Sequence, residues 1–284
     1  MTLPKGFLFS QSNLQDYVDC QRRFQLRHML HLHWPAVEAE PYLENERMID
    51  QGAQFHKVVR QYLIGISEAQ ISKTMIGDEV MEQWWDNFLH SIKDGNLKFI
   101  LEQGNQYFEE TALSVSLGES RLIAKYDLLI IHPDGNLIVL DWKTSKNHPR
   151  RRWLTDRLQT HIYLFVLSSA ISGFSGGIPP DPSQIEMIYW FTNQPDQPER
   201  FSYSKLSYQE DARYLNNLIL TIDQKSEPVF PLTLDVNRCL FCTYRSLCNR
   251  GVKPGDLQHL EEWLEPETAE DVSIDFDQIG EIEF

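Results

Sequence analysis

Apolar positions along the chain change period several times, and each change marks an element. Residues 124–143, AKYDLLIIHPDGNLIVLDWK, hold two runs rich in Leu, Ile and Val around His132-Pro133-Asp134-Gly135-Asn136. Branched aliphatic residues suit a pleated, half-buried surface and the middle five are turn formers, so the stretch predicts a β-hairpin. A strand over residues 106–117 precedes it, and another over 185–192, IEMIYWFT, follows. Elsewhere the spacing is helical. Leu14, Tyr17, Val18 and Phe24 mark the buried stripe of a first helix. Ser12 would cap it, with Gln15 three residues later as in a capping box, and Cys20 would lie within it. Residues 31–47 read as irregular, broken by Trp34-Pro35 and Pro41. Further helices are expected over 49–63, 80–92 and 155–172. In the first of these Ile49, Ala53, His56 and Leu63 fall near one face; the second carries Trp84 and Phe88. The third places Gln159 and Tyr163 four apart, on one face. Residues 173–182 form a loop rich in Gly and Pro. The order helix, three strands, helix, strand predicts an α/β fold, with a right-handed crossover between the last two strands.

The hairpin carries the first candidate chemistry. With its turn centred on Asp134, Asp127 and Asp141 each lie seven residues from the centre and oppose each other. Lys143 shares a face with Asp141, because strand side chains alternate. Opposed residues have Cβ atoms roughly 4.5–5.5 Å apart, and two carboxylates that close repel unless a positive charge intervenes. A hard divalent cation such as Mg²⁺ or Mn²⁺ supplies one. The plainer alternative is a pair of solvated strand-end acids, with Asp141 turned to the other face by a register shift of one.

At 284 residues the chain can bury one large domain, or one domain with a subdomain. No apolar run approaches the roughly 20 residues that span a bilayer, and the first residues lack a secretory apolar core, so a cytoplasmic location is expected. The formal charge of -15 argues against a general nucleic-acid binder, but ten acids with no Lys or Arg crowd into residues 261–284, leaving -5 elsewhere. Two basic clusters could meet phosphate: Arg22, Arg23 and Arg27, then Lys146, Arg150, Arg151, Arg152 and Arg157. Either could equally be a solvated helix face. No Gly-rich phosphate loop occurs, which excludes that kind of ATP-driven motor. Cys239-x2-Cys242-x5-Cys248 brings three thiolates into a short loop, and Cys20 is the fourth cysteine of the chain. Four thiolates suit either Zn²⁺ or a [4Fe–4S] cluster, and softness does not decide between them.

The pattern Asp127-x13-Asp141-Trp142-Lys143 resembles the D…(D/E)-x-K signature of the PD-(D/E)XK nuclease superfamily, in particular its RecB-like branch. Four further segments are similar to that branch. Gly52-x3-His56 matches its G-x-x-x-H, and Gln159-x3-Tyr163 its Q-x-x-x-Y. Residues 10–24 resemble its S-x-S-x-L-x-x-Y-x-x-C-P-x-x-F, with Gln21 in place of Pro. Residues 239–248 match C-x-x-C-x-Y-R-x-x-C of its iron–sulfur members, which include CRISPR-associated exonucleases and the AddB nuclease domain.

The resemblance implies a restriction-endonuclease-like αβββαβ core with a mixed central sheet, plus a helical N-terminal and C-terminal iron–sulfur subdomain. Residues 1–47 would bring the first helix and first cluster cysteine, 48–225 the nuclease core, 226–255 the other cysteines and 256–284 an acidic tail. Asp127, Asp141, His56 and the Trp142 carbonyl would hold one or two Mg²⁺ or Mn²⁺ ions. Lys143 would be catalytic, with Glu110, rather than Glu109, as an accessory acid. Cys20, Cys239, Cys242 and Cys248 would hold a [4Fe–4S] cluster. Gln159, Tyr163, Arg150, Arg151 and Arg152 would contact DNA. The implied activity is cleavage of single-stranded DNA from an end, in repair, recombination or CRISPR-related processing. The alternative is a catalytically idle DNA-binding or scaffold subunit of a larger complex. The tail would be a mobile extension or a partner-binding segment.

Overall fold

The computed structural model describes residues 3–4, 6–33, 40–145, 148–170, 180–240 and 242–251, without the side chains of 40–46 and 49. The expected loop at 173–179, Lys146, Trp34-Pro35 and the tail lie outside them.

A mixed six-stranded sheet divides two cores. Its order is β1-β3-β4-β5-β6, with β2 on the other edge of β3. The strands are β1 (Leu8–Ser10), β2 (Gln106–Leu117), β3 (Ser120–Ile131), β4 (Leu137–Lys143), β5 (Ile185–Phe191) and β6 (Glu199–Ser202). β1 runs parallel to β3 and β4 parallel to β5, while the other pairings are antiparallel. The first core unites Phe9, Leu14 and Phe24 with Val139, Ile162, Tyr189 and Phe230. The second unites Phe55, Trp85 and Phe88 with Leu128, Leu140 and Trp190. The sheet is therefore buried on both faces, which explains its nearly continuous apolar strands. Among the described residues no helix is long and apolar enough to cross a membrane.

Helices flank the sheet: α1 (Gln11–Asp19), α2 (Gln21–Phe24), α3 (Glu40–Leu63), α4 (Glu68–Thr74), α5 (Glu79–Lys93), α6 (Arg151–Asp156), α7 (Leu158–Ala170) and α8 (Lys205–Asp223). Several depart from expectation. Ser10, not Ser12, caps α1, in a capping box with Asn13 whose amide also donates to the Leu8 carbonyl at 2.9 Å. Val18 is exposed. Cys20 is extended, with φ -160°, and divides α1 from α2 instead of lying inside a helix. α3 begins near residue 40, and its buried face is Gln51, Gly52, Phe55, Val58 and Val59, while Ala53 is exposed. The expected helix at 155–172 is two helices, because Arg157 is extended with ψ 137°.

The first arginine cluster faces inward. Asp16 receives Arg23 at 2.6 Å, Arg27 at 3.1 Å and His28 at 2.8 Å, and Asp19 receives Arg23 at 3.0 Å and Arg238. Asp16 and Arg23 are both buried, so Arg23 and Arg27 neutralise internal acids rather than offering a phosphate-binding face. The C-terminal segment closes over this helix. Arg22 N–H donates to the Pro231 carbonyl, Gln25 joins Pro228 and Phe230, and the Tyr244 hydroxyl donates to the Leu32 carbonyl.

Candidate active site

Two sheet irregularities shape the site. β2 covers one edge of β3 along its length. The other edge is shared by β1 at residues 121–123 and β4 at 128–131. Asp127 lies between those two partners. The β3–β4 register carries Leu128 opposite Leu140, so Asp127 and Asp141 form the next opposed pair, where the strands part. The hairpin centre at Asp134 is as expected. A change of phase occurs at Asp127. Leu122, Ala124 and Tyr126 face the first core, but Leu128 and Ile130 face the second. Opposite Asp127 in β2, Glu110 takes a φ of 47°. That left-handed geometry is uncommon for a residue with a Cβ and reverses the alternation of both strands.

Side chains close the gap that the backbone leaves. Asp127 Oδ2 accepts the Trp142 N–H at 2.9 Å, and Asp127 Oδ1 meets His56 Nδ1 at 3.2 Å. His56 arrives from α3 because Gly52, one turn earlier, lets the helix approach the end of β4. A Cβ at Gly52 would stand 2.8 Å from Thr144 Oγ1. On the other face Lys143 Nζ lies 2.9 Å from Asp141 Oδ2 and donates to Gln159 Oε1 at 2.9 Å. Gln159 Nε2 donates to Asp141 Oδ1 at 2.6 Å. Gln159 therefore bridges Asp141 and Lys143, as its buried place on α7 allows. The Trp142 side chain is buried in the second core against Phe88 and Trp190.

The charges respond to this arrangement. Burial works against a charged His56, but the charge and hydrogen bond of Asp127, with Asp141 adding, outweigh it and raise the imidazole above its ordinary value. Burial likewise works against an ionised Asp127, yet His56, the Trp142 N–H and Lys143 together hold it below the usual carboxylate range. The Tyr163 hydroxyl is pushed well up, first by burial and then by Asp141 and Asp127. Tyr163 thus belongs to the same electrostatic neighbourhood as the acids.

His56, Arg60, Leu63, Glu110, Asp127 and Trp142 line an open pocket with about 210 Å³ of empty space. Arg60 pairs with Glu110 at 3.0 Å across it. Sequence reasoning missed Arg60, although its place four residues after His56 on one helix was a readable signal. Of the second basic cluster, Arg151 pairs with Glu199 and lies over the Phe201 ring, and Arg157 is buried against Trp153. Arg150 and Arg152 remain exposed, the latter 3.8 Å from Asp156.

Among the described residues no three His, Cys, Asp or Glu side chains are already gathered closely enough to hold a metal ion. Lys143 and His56 stand against the two carboxylates instead. The donor chemistry still fits a hard cation: two opposed carboxylates, an adjoining imidazole and a third acid, Glu110, on an open pocket. The cysteines also influence one another. Burial raises the thiols of Cys239, Cys242 and Cys248, that of Cys242 to about 11, and Cys20 adds to the rise in each. Four sulfurs from both ends of the chain thus share one neighbourhood. Arg23 and Arg250 oppose the rise at Cys239, Arg23 at Cys242, and Arg22 and Arg250 at Cys248. No disulfide joins these cysteines.

A family model described as the PD-(D/E)XK nuclease superfamily matches residues 8–249. No curated protein matches the chain. Among solved structures, a provisionally assigned exonuclease from Eubacterium rectale is 12% identical over 89% of this chain and 91% of its own, with a TM-score of 0.50. The crystal structure of SSO0001 is 16% identical over 87% of this chain and 88% of its own, with a TM-score of 0.39. At such identities the first likeness speaks to the fold.

Proposed function

Because this chain belongs to the PD-(D/E)XK nuclease superfamily, we propose that it is a metal-dependent deoxyribonuclease that hydrolyses phosphodiester bonds of single-stranded DNA from an end. One observation carries the reading. Asp127 and Asp141 oppose each other where β3 and β4 part, and Gln159 ties Asp141 to Lys143. Asp127, Asp141, His56 and the Trp142 carbonyl would hold Mg²⁺ or Mn²⁺. Bound there, such an ion supplies Lewis-acid polarisation of the phosphate and a lower pKa for water.

The chain's own groups do the rest. Lys143 orients the attacking water and offsets charge that develops on the phosphate. Gln159 holds the Lys143 ammonium beside the Asp141 carboxylate. Tyr163 and the exposed Arg150 and Arg152 guide the strand, and Glu110 supplies the accessory acid. Processing steps in repair, recombination or CRISPR-related pathways need such an end-directed activity.

The same reading assigns Cys20, Cys239, Cys242 and Cys248 to one [4Fe–4S] cluster in a subdomain built from both ends of the chain. The shared electrostatic neighbourhood of the four thiols supports it. Two experiments test the reading. Oligonucleotides labelled at the 5′ or 3′ end, single- and double-stranded, are incubated with Mg²⁺, Mn²⁺ or EDTA; folded protein that cuts none of them overturns the nuclease. Iron, zinc and visible absorption are measured on anaerobically purified protein; a colourless protein with one zinc per chain replaces the cluster by a structural zinc.

A further inference from the structure

Gln15 has no part in the site described above, yet it lies one residue away from it through hydrogen bonds. Leu158 is the first residue of α7, where first-turn N–H groups have no partner within the helix. Its N–H donates to Gln15 Oε1 at 3.2 Å, across 143 residues of sequence. Gln15 Nε2 donates to Asp19 Oδ1 at 2.8 Å. Asp19 is buried and also receives Arg23 and Arg238. Asp19 adjoins Cys20 and Arg238 adjoins Cys239. The next residue of α7, Gln159, bridges Asp141 and Lys143.

The orientation of both glutamines is forced. An ionised carboxylate only accepts and a backbone N–H only donates, so the Gln15 amide fits one way round. Gln159 is fixed in the same manner between Asp141 and the Lys143 ammonium. α1 also packs against α7. We propose that Gln15 is a positioning residue for Gln159: it anchors the first turn of α7 to Asp19, and so makes the placing of Gln159 depend on the segment that carries the cysteines. The proposal deepens the nuclease reading and rests on it for its kinetic consequence, while its structural consequence stands apart.

The test uses the whole chain and four variants. Gln15→Met keeps the volume and loses both bonds. Gln15→Glu keeps an acceptor for Leu158 but cannot donate to Asp19. The other two are Gln159→Ala, alone and combined with Gln15→Met. Gln15→Met is expected to lower kcat on single-stranded DNA by roughly 2- to 30-fold, the usual span for a residue that acts through another. KM and melting temperature stay near wild type. In the Gln159→Ala background the same change has no further effect, since coupled residues are not additive. Gln15→Glu behaves as Gln15→Met. Amide exchange of the 158–162 segment, which needs no nuclease activity, speeds up in both Gln15 variants. An equal loss in both backgrounds makes Gln15 merely structural. Unchanged exchange at 158–162, or a wild-type rate for Gln15→Glu, overturns the link through Asp19. A wild type that cuts no DNA while exchange responds as stated sinks the nuclease reading and leaves the positioning intact.

Discussion

Asp16→Asn puts the inward-facing charge network to a quantitative test. Burial alone would raise the Asp16 carboxyl, but Arg23, His28 and Arg27 outweigh burial and hold it at about 2, against an ordinary 3.8. The folded value lies below the unfolded one. The group therefore contributes stability that is fully present above about pH 3.8 and is lost as pH falls through about 2. That difference is worth roughly 2 kcal/mol at pH 5 and about half as much at pH 3. Asparagine removes the charge that faces buried Arg23 and leaves it Asp19 as a carboxylate partner, a loss of up to roughly 3–5 kcal/mol in such networks. Against a total stability of about 5–15 kcal/mol, that shift is large. Urea unfolding of both proteins, followed by tryptophan fluorescence at pH 5 and pH 3, gives the two gaps. The gap is expected to narrow by about 1 kcal/mol between pH 5 and pH 3. A gap independent of pH, or one under about 1 kcal/mol at pH 5, refutes the network and returns Arg23 and Arg27 to the pool of DNA contacts.

Asp141→Asn and Asp127→Asn are expected to abolish metal-dependent cleavage while the protein still melts cooperatively, and Lys143→Met to retain DNA binding with cleavage lost; end-labelled oligonucleotide assays beside thermal scans check both. Gly52→Ala drives a methyl into Thr144 and should cost roughly 1–3 kcal/mol by overpacking, with partial recovery in Gly52→Ala/Thr144→Ala, as unfolding curves would reveal. His161 is raised by its bond to Asp211, so this pair stabilises below the ordinary imidazole value and the gain fades as pH climbs through the raised one. Asp211→Asn should flatten that decline above the ordinary imidazole value, as unfolding curves at a series of pH values would show. Arg150→Ala/Arg152→Ala should flatten the salt dependence of single-strand binding by up to about 0.7 log units per lost phosphate contact, measured by titration at several salt concentrations.

The strands and the acid pair were legible because their signals are local. The hairpin turn carries its own Pro-Asp-Gly-Asn chemistry, and β2 and β5 are unbroken runs between turn formers. Symmetry about Asp134 then placed Asp127 opposite Asp141. The reversal of strand phase at Glu110 and Asp127 was hidden for the opposite reason. Beyond Asp127 the β3 residues Leu128, Leu129 and Ile130 are apolar and buried on both faces, so no polar residue there marks which way each side chain points. The choice between Ser10 and Ser12 as a cap turned on Leu8, whose carbonyl holds Asn13 only once β1 has formed. The inward turn of Arg23 was partly readable, since Asp19 precedes it by four. The break at Arg157 follows from tertiary contact: Gln15 supplies the acceptor that starts α7. α8 escaped notice because Leu206, Tyr214 and Leu220 are exposed and blur its apolar stripe.

The closure of the C-terminal segment over the first helix fixes a timetable for synthesis. Gln25 bonds to Phe230 across 205 residues. At about 5–20 residues per second, that interval is roughly 10–40 s in which Tyr17 and Phe24 have left the ribosome and their cover has not. β1 waits as well, since it pairs with residues 121–123 of β3. Contacts this distant in sequence close slowly even after release. The first helix is thus made well before its cover and is among the last parts to be covered. A chain stopped before residue 228 would keep an uncovered aromatic face and a buried-type ion network in water, the kind of species that aggregates before it can fold.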